Sequence, residues 1–218
     1  MNPSVLLFDF DGTLVDASEA ICRSFNAGLA AFGYPTWPAQ RIRPLIGRTL
    51  REMYAAAAPG ADAARVEELI AAYRAAFLPI SVPLSRLLPG VREGCRAWAA
   101  RRRLGIVTNR ARHGAEHILE GFGLRDAFAV IVGLDDVVHA KPHPEALLTA
   151  LRRLGATPDE AVMIGDTPDD LRAAAAAGLR GLGVTTGSYD AAALTAAGAA
   201  AALPSLAELD AALDALPN

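Results

Sequence analysis

The sequence of 218 residues is poor in cysteine, aromatic residues and lysine, and it contains no long apolar run. Its two cysteines, Cys22 and Cys95, are too few for a disulfide framework and lack the spacing of a metal-binding motif. A net charge of −3 leaves no broad basic surface that would attract nucleic acid or an anionic membrane. Neither a membrane span nor a secretory signal peptide is recognisable. We therefore expect a cytoplasmic protein without nucleic-acid or membrane partners, either a monomer or a homodimer.

Strand and helix patterns alternate along most of the chain, which is typical of an α/β fold with a doubly wound parallel sheet. Short apolar runs predict strands at Val5–Phe8, Leu104–Thr108, Phe128–Val132, Ala161–Ile164 and Gly181–Thr185. Helical patterns are found between and after them, at Val91–Arg103, His113–Gly121, Pro144–Leu154, Pro168–Ala177 and Ser205–Leu216. The last helix would begin with Ser205 as its N-cap and Glu208 as its capping-box partner.

The segment between the first and second predicted strands is too long for a simple crossover. About 90 residues separate Thr13 from Leu104, and their apolar residues follow a helical period. Three helical runs are predicted, one from Asp16 or Ser18 to Phe32 and two more at Leu45–Ala58 and Asp62–Phe77. We therefore expect an all-helical insertion at residues 17–83, set after the first strand into an α/β core of residues 1–16 and 84–218.

Two acids follow the first predicted strand directly. Asp9 and Asp11 are two positions apart, so their side chains point to the same side of the chain, and Gly12 then allows a sharp turn. Ligands of open α/β sheets bind at the carboxyl ends of the strands. The pattern therefore predicts a chemical site here, although an Asp-Gly turn capped by Thr13 is the alternative that these residues alone leave open.

Other predicted strands also end in reactive residue types. Thr108 and Asn109 follow the second strand, and Gly165-Asp166 with Asp169 and Asp170 follow a later one. Lys141 is the only lysine among 21 basic residues, which indicates a site that needs a compact point charge. Clustered acids repel one another unless a hard cation such as Mg²⁺ lies among them. A hydroxyl, an ammonium and turn amides beside that cation suit a phosphoryl group.

Four segments, taken in order and spacing, resemble the four motifs of the haloacid dehalogenase-like superfamily of phosphohydrolases. They are Asp9-Phe10-Asp11-Gly12-Thr13, Thr108, Lys141, and Gly165-Asp166 with Asp170. The insertion is similar to the small helical cap of the phosphoglycolate phosphatase-like branch, and we call residues 17–83 the cap. This sequence also resembles that branch in three short segments, Leu14-Val15-Asp16, Ile46-Gly47 and Lys141-Pro142-His143-Pro144-Glu145. The resemblance covers essentially the whole chain and implies a Rossmann-like core.

The resemblance implies a Mg²⁺-dependent phosphatase that acts on a small phosphorylated metabolite, phosphoglycolate-like or a sugar phosphate, through an aspartyl-phosphate. Asp9 would be the nucleophile, and Asp11 would be the general acid and base, kept protonated by crowded anionic surroundings. Thr108 and Lys141 would contact the phosphoryl oxygens.

The resemblance also implies the ligands of the metal ion and of the phosphate. Mg²⁺ would be held by Asp9, the backbone carbonyl of Asp11 and Asp166, with Asp170 acting from the outer shell. The spacing of the motif favours Asp170 over Asp169 as this outer-shell acid. The backbone around Phe10, Gly12, Thr13 and Asn109 would bind phosphate, and Arg48 and Arg51 are the cap residues expected to reach an anionic substrate.

Three other interpretations remain open from the sequence. A sugar phosphomutase of the β-phosphoglucomutase type shares the core motifs and differs in the cap. A non-catalytic binding module would keep the fold without turnover. A dinucleotide-binding oxidoreductase is disfavoured, because no Gly-x-Gly-x-x-Gly follows the first strand. His113, His117, His139 and His143 are interpreted as surface, helix or turn residues.

Overall fold

The computed structural model describes residues 3–216. Its strands are β1 (Val5–Phe8), β2 (Val15–Asp16), β3 (Arg86–Leu87), β4 (Arg103–Val107), β5 (Val130–Val132), β6 (Ala161–Gly165), β7 (Arg180–Val184) and β8 (Ala201–Leu203). Its helices are α1 (Ser18–Ala31), α2 (Ala39–Ile42), α3 (Leu50–Ala57), α4 (Ala63–Ser81), α5 (Val91–Ala99), α6 (Arg112–Phe122), α7 (Glu145–Leu154), α8 (Pro168–Ala176), α9 (Ala191–Ala196) and α10 (Leu209–Ala215).

Six of these strands form one parallel sheet in the order β5-β4-β1-β6-β7-β8. β1 is central, and its residues alternate between two apolar clusters, with Leu6 and Phe8 in one cluster and Val5 and Leu7 in the other. Helices cover both faces, so that all four side chains are buried, as a parallel sheet requires. Phe8 stacks on Trp98 of α5, with ring centroids 5.5 Å apart. The predicted doubly wound α/β fold is confirmed.

The chain leaves the sheet region and returns to it through two short antiparallel strands. In this pair, Val15 of β2 lies opposite Leu87 of β3, and Asp16 lies opposite Arg86 with an ion pair at 2.6 Å. The segment between them contains α1 to α4 and a 3-10 turn at Arg43–Leu45. The division into a core and a cap remains a proposal, and these paired strands are the junction at which it would lie.

The cap packs around its own aromatic residues. The ring of Phe25 on α1 stacks on Tyr54 of α3 at 4.5 Å, and the Tyr54 hydroxyl donates to the Phe25 carbonyl at 3.2 Å. The Asn26 side chain binds both the amide and the carbonyl of Trp37, each at 2.8 Å, and thereby fixes the loop after α1. The buried side chains of the cap are continuous with those on one face of the sheet, which include Leu6 and Phe8, and with Phe10 and Leu14 in the segment after β1.

Several details differ from the sequence predictions, beginning with the short elements β2, β3 and α2, which were not predicted. The helix predicted at Asp62–Phe77 continues through Pro79 to Ser81, because a proline in the last turn removes only one backbone donor. β8 and α9 were not predicted, since their alanine-rich sequences show neither period clearly. The tail begins as a 3-10 turn at Leu206–Glu208 that Ser205 caps through the Ala207 amide at 3.3 Å, not through the capping box predicted with Glu208.

None of the helices within residues 3–216 combines the length and the apolar character that crossing a bilayer requires.

The close contact between α1 and Tyr54 gives a stability prediction. A Cβ atom at Gly28 would clash with the Tyr54 hydroxyl, so we expect Gly28→Ala to lower the free energy of unfolding by about 1–3 kcal/mol. Tyr54→Phe should cost about 1 kcal/mol by itself, through loss of the hydrogen bond to Phe25. Urea unfolding of both single variants and the double variant measures this. The double variant should lose less than the sum of the single losses; strict additivity would contradict the contact.

Candidate active site

The turn after β1 allows an acid from the neighbouring strand to approach the backbone. Gly12 has a φ angle of +86°, in the left-handed region that favours glycine. A Cβ atom at this position would clash with the carboxylate of Asp166, which follows β6. Thr13 donates a hydrogen bond from Oγ1 to Oδ1 of Asp166 at 2.9 Å. Gly12 and Thr13 therefore hold Asp166 against the end of β1.

Three buried carboxylates meet at the carboxyl ends of β1 and β6. Asp9 follows β1, Asp166 follows β6 and Asp170 lies in the first turn of α8. One carboxylate oxygen of each residue lies within 4.8 Å of those of the other two. Their exposed fractions are 3, 4 and 0%, respectively. The acids meet because β1 and β6 pair in parallel, with Phe8 opposite Ile164 at their last shared position.

Lys141 supplies positive charge to this acidic cluster. Its Nζ donates to Oδ1 of Asp9 at 2.8 Å, to Oδ1 of Asp170 at 2.5 Å and to the carbonyl of Val107 at 2.9 Å. These bonds use all three donors of the ammonium group. Burial by itself would lower the pKa of Lys141, but the carboxylates of Asp170 and Asp9 raise it, so the side chain stays charged. One ammonium leaves the three carboxylates only partly neutralised.

The remaining negative charge makes this cluster suitable for a cation. Burial raises the pKa of Asp9 to about 7 although Lys141 opposes the shift. Burial, followed by the charges of Asp9 and Asp170, raises the pKa of Asp166 well above its usual range. Carboxylate oxygens are the hard ligands that Mg²⁺ prefers, and a divalent ion would favour ionisation of all three acids. The chemistry of this donor set therefore fits a magnesium ion.

The two neighbouring acids of α8 have different surroundings. Oδ2 of Asp170 accepts hydrogen bonds from the Thr167 amide at 3.0 Å and from the Thr167 hydroxyl at 2.7 Å, while its Oδ1 binds Lys141. Asp169 is half-buried and forms an ion pair with Arg172 at 3.2 Å. Asp170 is therefore the acid that faces the cluster, as the spacing of the motif indicated.

Thr108 and Asn109 follow β4, next to the cluster. The amide of Thr108 donates to the carbonyl of Val132 in β5 at 3.0 Å, and its side chain is buried beside the cavity. The side-chain amide of Asn109 donates to the carbonyls of Gly47 at 3.0 Å and Lys141 at 3.2 Å, and its Oδ1 accepts from the Lys141 amide at 2.9 Å. The Asn109 side chain thus links a cap loop to the Lys141 loop.

Asp11 does not lie in the anionic surroundings that were expected for it. Its two carboxylate oxygens accept from Nε and Nη2 of Arg110, each at 2.8 Å. Burial by itself would lower the pKa of Arg110, but Asp11 raises it above its usual value. Arg110 was not predicted as a site residue, because nothing in the sequence distinguishes it from the other 19 arginines.

A cavity of about 490 Å³ lies between the core and the cap segment. Asp9, Asp11 and Thr108 line it from the core, and Arg48 and Arg51 line it from the cap segment. The Arg51 side chain pairs with Glu67 at 2.5 Å, and both side chains are more than half exposed, so this ion pair contributes little stability. The structure thus brings both cap arginines to the cavity that contains the predicted catalytic acids.

The histidines near Lys141 belong to the turn before α7. Nδ1 of His139 lies 2.9 Å from Oε2 of Glu145, and Nδ1 of His143 accepts from the Glu145 amide at 3.2 Å. Both rings are exposed. His113 lies on the wall of the cavity.

Residues 6–184 match the family of haloacid dehalogenase-like hydrolases. The chain belongs to this family. It is 36% identical over 178 residues to a phosphoglycolate phosphatase of Xylella fastidiosa, a match that covers 81% of this chain and 78% of the relative. It is also 36% identical over 172 residues to the pyrophosphatase PpaX of Bacillus cereus, covering 78% of each chain.

A solved structure shows the same architecture. A protein of Bacteroides fragilis described as a haloacid dehalogenase-like hydrolase superposes with a TM-score of 0.89 and 33% identity, over 95% of this chain and 99% of that one. These relationships confirm the predicted family and the predicted enzyme class, a phosphoric monoester hydrolase, rather than a non-catalytic binding module or a dinucleotide-binding oxidoreductase.

The approach of Asp166 to Gly12 gives a prediction with a matched control. Gly33 also has a positive φ, +74°, but a Cβ atom there would meet nothing within 4 Å. We expect Gly12→Ala to displace the Asp166 carboxylate and to lower phosphatase activity at least about 100-fold. Gly33→Ala should cost about 1 kcal/mol of stability from backbone strain and keep its activity. Hydrolysis of p-nitrophenyl phosphate measures both; similar activities of the two variants would contradict the contact.

Proposed function

We propose that the protein is a Mg²⁺-dependent phosphatase that acts on a small phosphorylated metabolite through an aspartyl-phosphate intermediate. The observation that carries this proposal is the buried Asp9 carboxylate, which Lys141 binds on one oxygen and which faces a cavity lined by Thr108 and Asp11. The names of the two relatives support a phosphorylated substrate of small size. A cytoplasmic location and a monomeric or homodimeric state stay predictions from the sequence.

The acidic cluster is the proposed magnesium site. The side chains of Asp9 and Asp166 and the backbone carbonyl of Asp11 would hold the ion, and Asp170 would act indirectly through its bonds to Lys141 and Thr167. The chemistry that such an ion supplies is neutralisation of charge on the oxygens of the transferred phosphoryl group.

Asp9 is the proposed nucleophile. Its amide donates to the Ile164 carbonyl at 2.8 Å, and Lys141 binds Oδ1, so Oδ2 is the oxygen proposed to attack phosphorus. A bond forms between this oxygen and phosphorus while the bond from phosphorus to the leaving oxygen breaks. Thr108 would donate a hydrogen bond to an equatorial phosphoryl oxygen. The ammonium of Lys141, whose three donors already have partners, would stabilise the charge on these oxygens during transfer through its positive charge.

Asp11 is the proposed general acid and base. Before the first step Asp11 takes up a proton as it turns from Arg110. It gives this proton to the leaving oxygen, and in the second step it accepts a proton from the water that attacks phosphorus. The water oxygen replaces the Asp9 oxygen on phosphorus, which releases inorganic phosphate and restores the Asp9 carboxylate. Asp11 must turn at least partly from Arg110 toward the leaving oxygen for this to happen.

The role of Asp9 is tested by Asp9→Asn. We expect this variant to fold and to lose turnover by more than about 10⁴-fold, because an amide oxygen cannot replace the carboxylate as nucleophile. EDTA should abolish the wild-type activity, and acid quenching with ³²P-labelled substrate should label wild-type protein but not the variant.

The matched control is Asp169→Asn, on the exposed side of α8, which should retain turnover and labelling. Substantial residual turnover in Asp9→Asn, or full activity in EDTA, would overturn the proposal. Efficient transfer to a bound hexose phosphate that requires a bisphosphate activator would instead indicate the phosphomutase interpretation.

The cap arginines are proposed to contact the part of the substrate beyond the phosphoryl group. Arg48→Ala and Arg51→Ala should then lower kcat/KM for the preferred metabolite by about tenfold, and lower it less for p-nitrophenyl phosphate, which lacks a second anionic group. Steady-state kinetics on both substrates test this. Arg23→Ala is the control, because Arg23 pairs with Glu19 on the exposed side of α1. Equal losses on the two substrates would exclude a role in recognition.

A further inference from the structure

Arg110 lies beside the position that the proposed mechanism gives to the leaving group of the substrate. Its side chain is 10% exposed and binds both oxygens of Asp11, the residue proposed to protonate the leaving oxygen. A leaving oxygen within hydrogen-bond distance of one of these Asp11 oxygens is therefore within about 6 Å of the guanidinium nitrogen bound to that oxygen. Lys141 and Thr108 are placed on the side of the phosphoryl group, so the proposed chemistry at phosphorus does not need Arg110.

The surroundings of Arg110 strengthen its interaction with anions. The guanidinium carbon lies 4.5 Å from the ring centroid of Phe77 and 5.9 Å from that of Phe10, and Tyr73 lies beside it. Apolar side chains exclude water, and charges interact more strongly in such a site. Arg48, Arg51 and Arg74 also line the cavity, but they are exposed. Among the arginines that line the cavity, Arg110 is thus the one that burial has already deprived of much of its hydration.

We propose that Arg110 selects substrates whose leaving group is itself an anion. This inference rests on the proposed function and narrows its substrate class. The planar fork of an arginine binds a carboxylate or a phosphate through two parallel hydrogen bonds. A carboxylate on the carbon next to the leaving oxygen, or a second phosphate that contains that oxygen, lies within reach of the guanidinium. Esters of neutral alcohols, including sugar phosphates, offer no such group.

The selection of anionic leaving groups depends on an exchange of hydrogen-bond partners by Arg110. When an anionic leaving group enters, Arg110 passes one or both hydrogen bonds from Asp11 to the substrate, and the buried cation keeps an anionic partner. Asp11 is then free to turn toward the leaving oxygen. With a neutral leaving group, the same turn would leave the guanidinium buried without a compensating charge, which is costly. Arg110 therefore stabilises the transition state of substrates with an anionic leaving group more than that of substrates with a neutral leaving group.

The experiment compares two substrates that differ in one group. 2-Phosphoglycolate carries a carboxylate where 2-hydroxyethyl phosphate carries a neutral hydroxymethyl group. We expect the full-length wild-type protein with Mg²⁺ to prefer 2-phosphoglycolate by about 30- to 100-fold in kcat/KM. Arg110→Gln should reduce this ratio to less than about fivefold, and Arg110→Lys, which keeps the charge without the fork, should give an intermediate ratio. If Arg110 had a purely structural role, its replacement would lower kcat/KM for both substrates by the same factor and leave the ratio unchanged.

Arg112→Gln, at the first residue of α6, is the matched control. Arg112 is exposed and approaches Asp136 at 3.6 Å, and it does not line the cavity, although its neighbours Ala111 and His113 do. This variant should keep the wild-type ratio. A ratio near one in the wild type, or a ratio that Arg110→Gln does not change, would overturn the inference while turnover itself supports the phosphatase. Absence of Mg²⁺-dependent turnover of both substrates and of p-nitrophenyl phosphate would overturn the proposed function, and the inference with it.

A second measurement covers the case in which the Arg110 variants do not fold. Glycolate, the alcohol product of 2-phosphoglycolate, should inhibit wild-type hydrolysis of p-nitrophenyl phosphate at concentrations at least about tenfold lower than ethylene glycol does. The two alcohols differ by the same exchange of a carboxylate for a neutral group. Equal inhibition by both would show that the site does not recognise an anionic leaving group, and would overturn the inference.

Discussion

The arrangement of the site depends on the positive charge and the hydrogen bonds of the Lys141 ammonium group. Asp9, Asp166 and Asp170 are almost fully buried, and the mutual repulsion of three such acids would separate them without nearby positive charge. Lys141 bonds to two of them and to the last carbonyl of β4, so one side chain connects β1, β4, α8 and the loop before α7. It neutralises the cluster incompletely. The same contacts that connect these elements therefore leave a set of carboxylate donors that fits a cation.

The fold and most of the candidate site follow from rules that act on short pieces of sequence. A parallel sheet brings every carboxyl strand end to one edge, so Asp9, Thr108 and Asp166 could be placed together once their strands were recognised. The choice of Asp170 over Asp169 followed from spacing, and its physical basis is the orientation of the first turn of α8, which faces Asp170 toward Lys141 and Asp169 toward Arg172. The single lysine was informative because the rest of the chain uses arginine.

Features that depend on long-range contacts could not be predicted in this way. β8 has the sequence Ala-Ala-Leu, which shows no preference for a strand by itself; it forms because β7 offers a free edge for pairing. Arg110 was missed for a related reason, since its position between Asp11, Phe10 and Phe77 depends on β1, β4 and α4 together. The proximity of Asp11 to Asp9 in sequence suggested anionic surroundings, whereas the side chain contacts a cation in the loop after β4.

The chemical groups and the cap segment are coupled through two neighbouring residues. Asn109 connects the Gly47 loop to the backbone of Lys141, and Arg110 connects Asp11 to the Phe77 ring on α4. Movement of the cap segment away from the core would disturb the partners of Lys141 and Asp11 together, because both links begin at the end of β4. In the proposed mechanism, substrate recognition and acid-base chemistry are therefore coupled. A leaving group that replaces Asp11 on Arg110 would change the position of the proposed catalytic acid and the contact between Arg110 and Phe77 of α4.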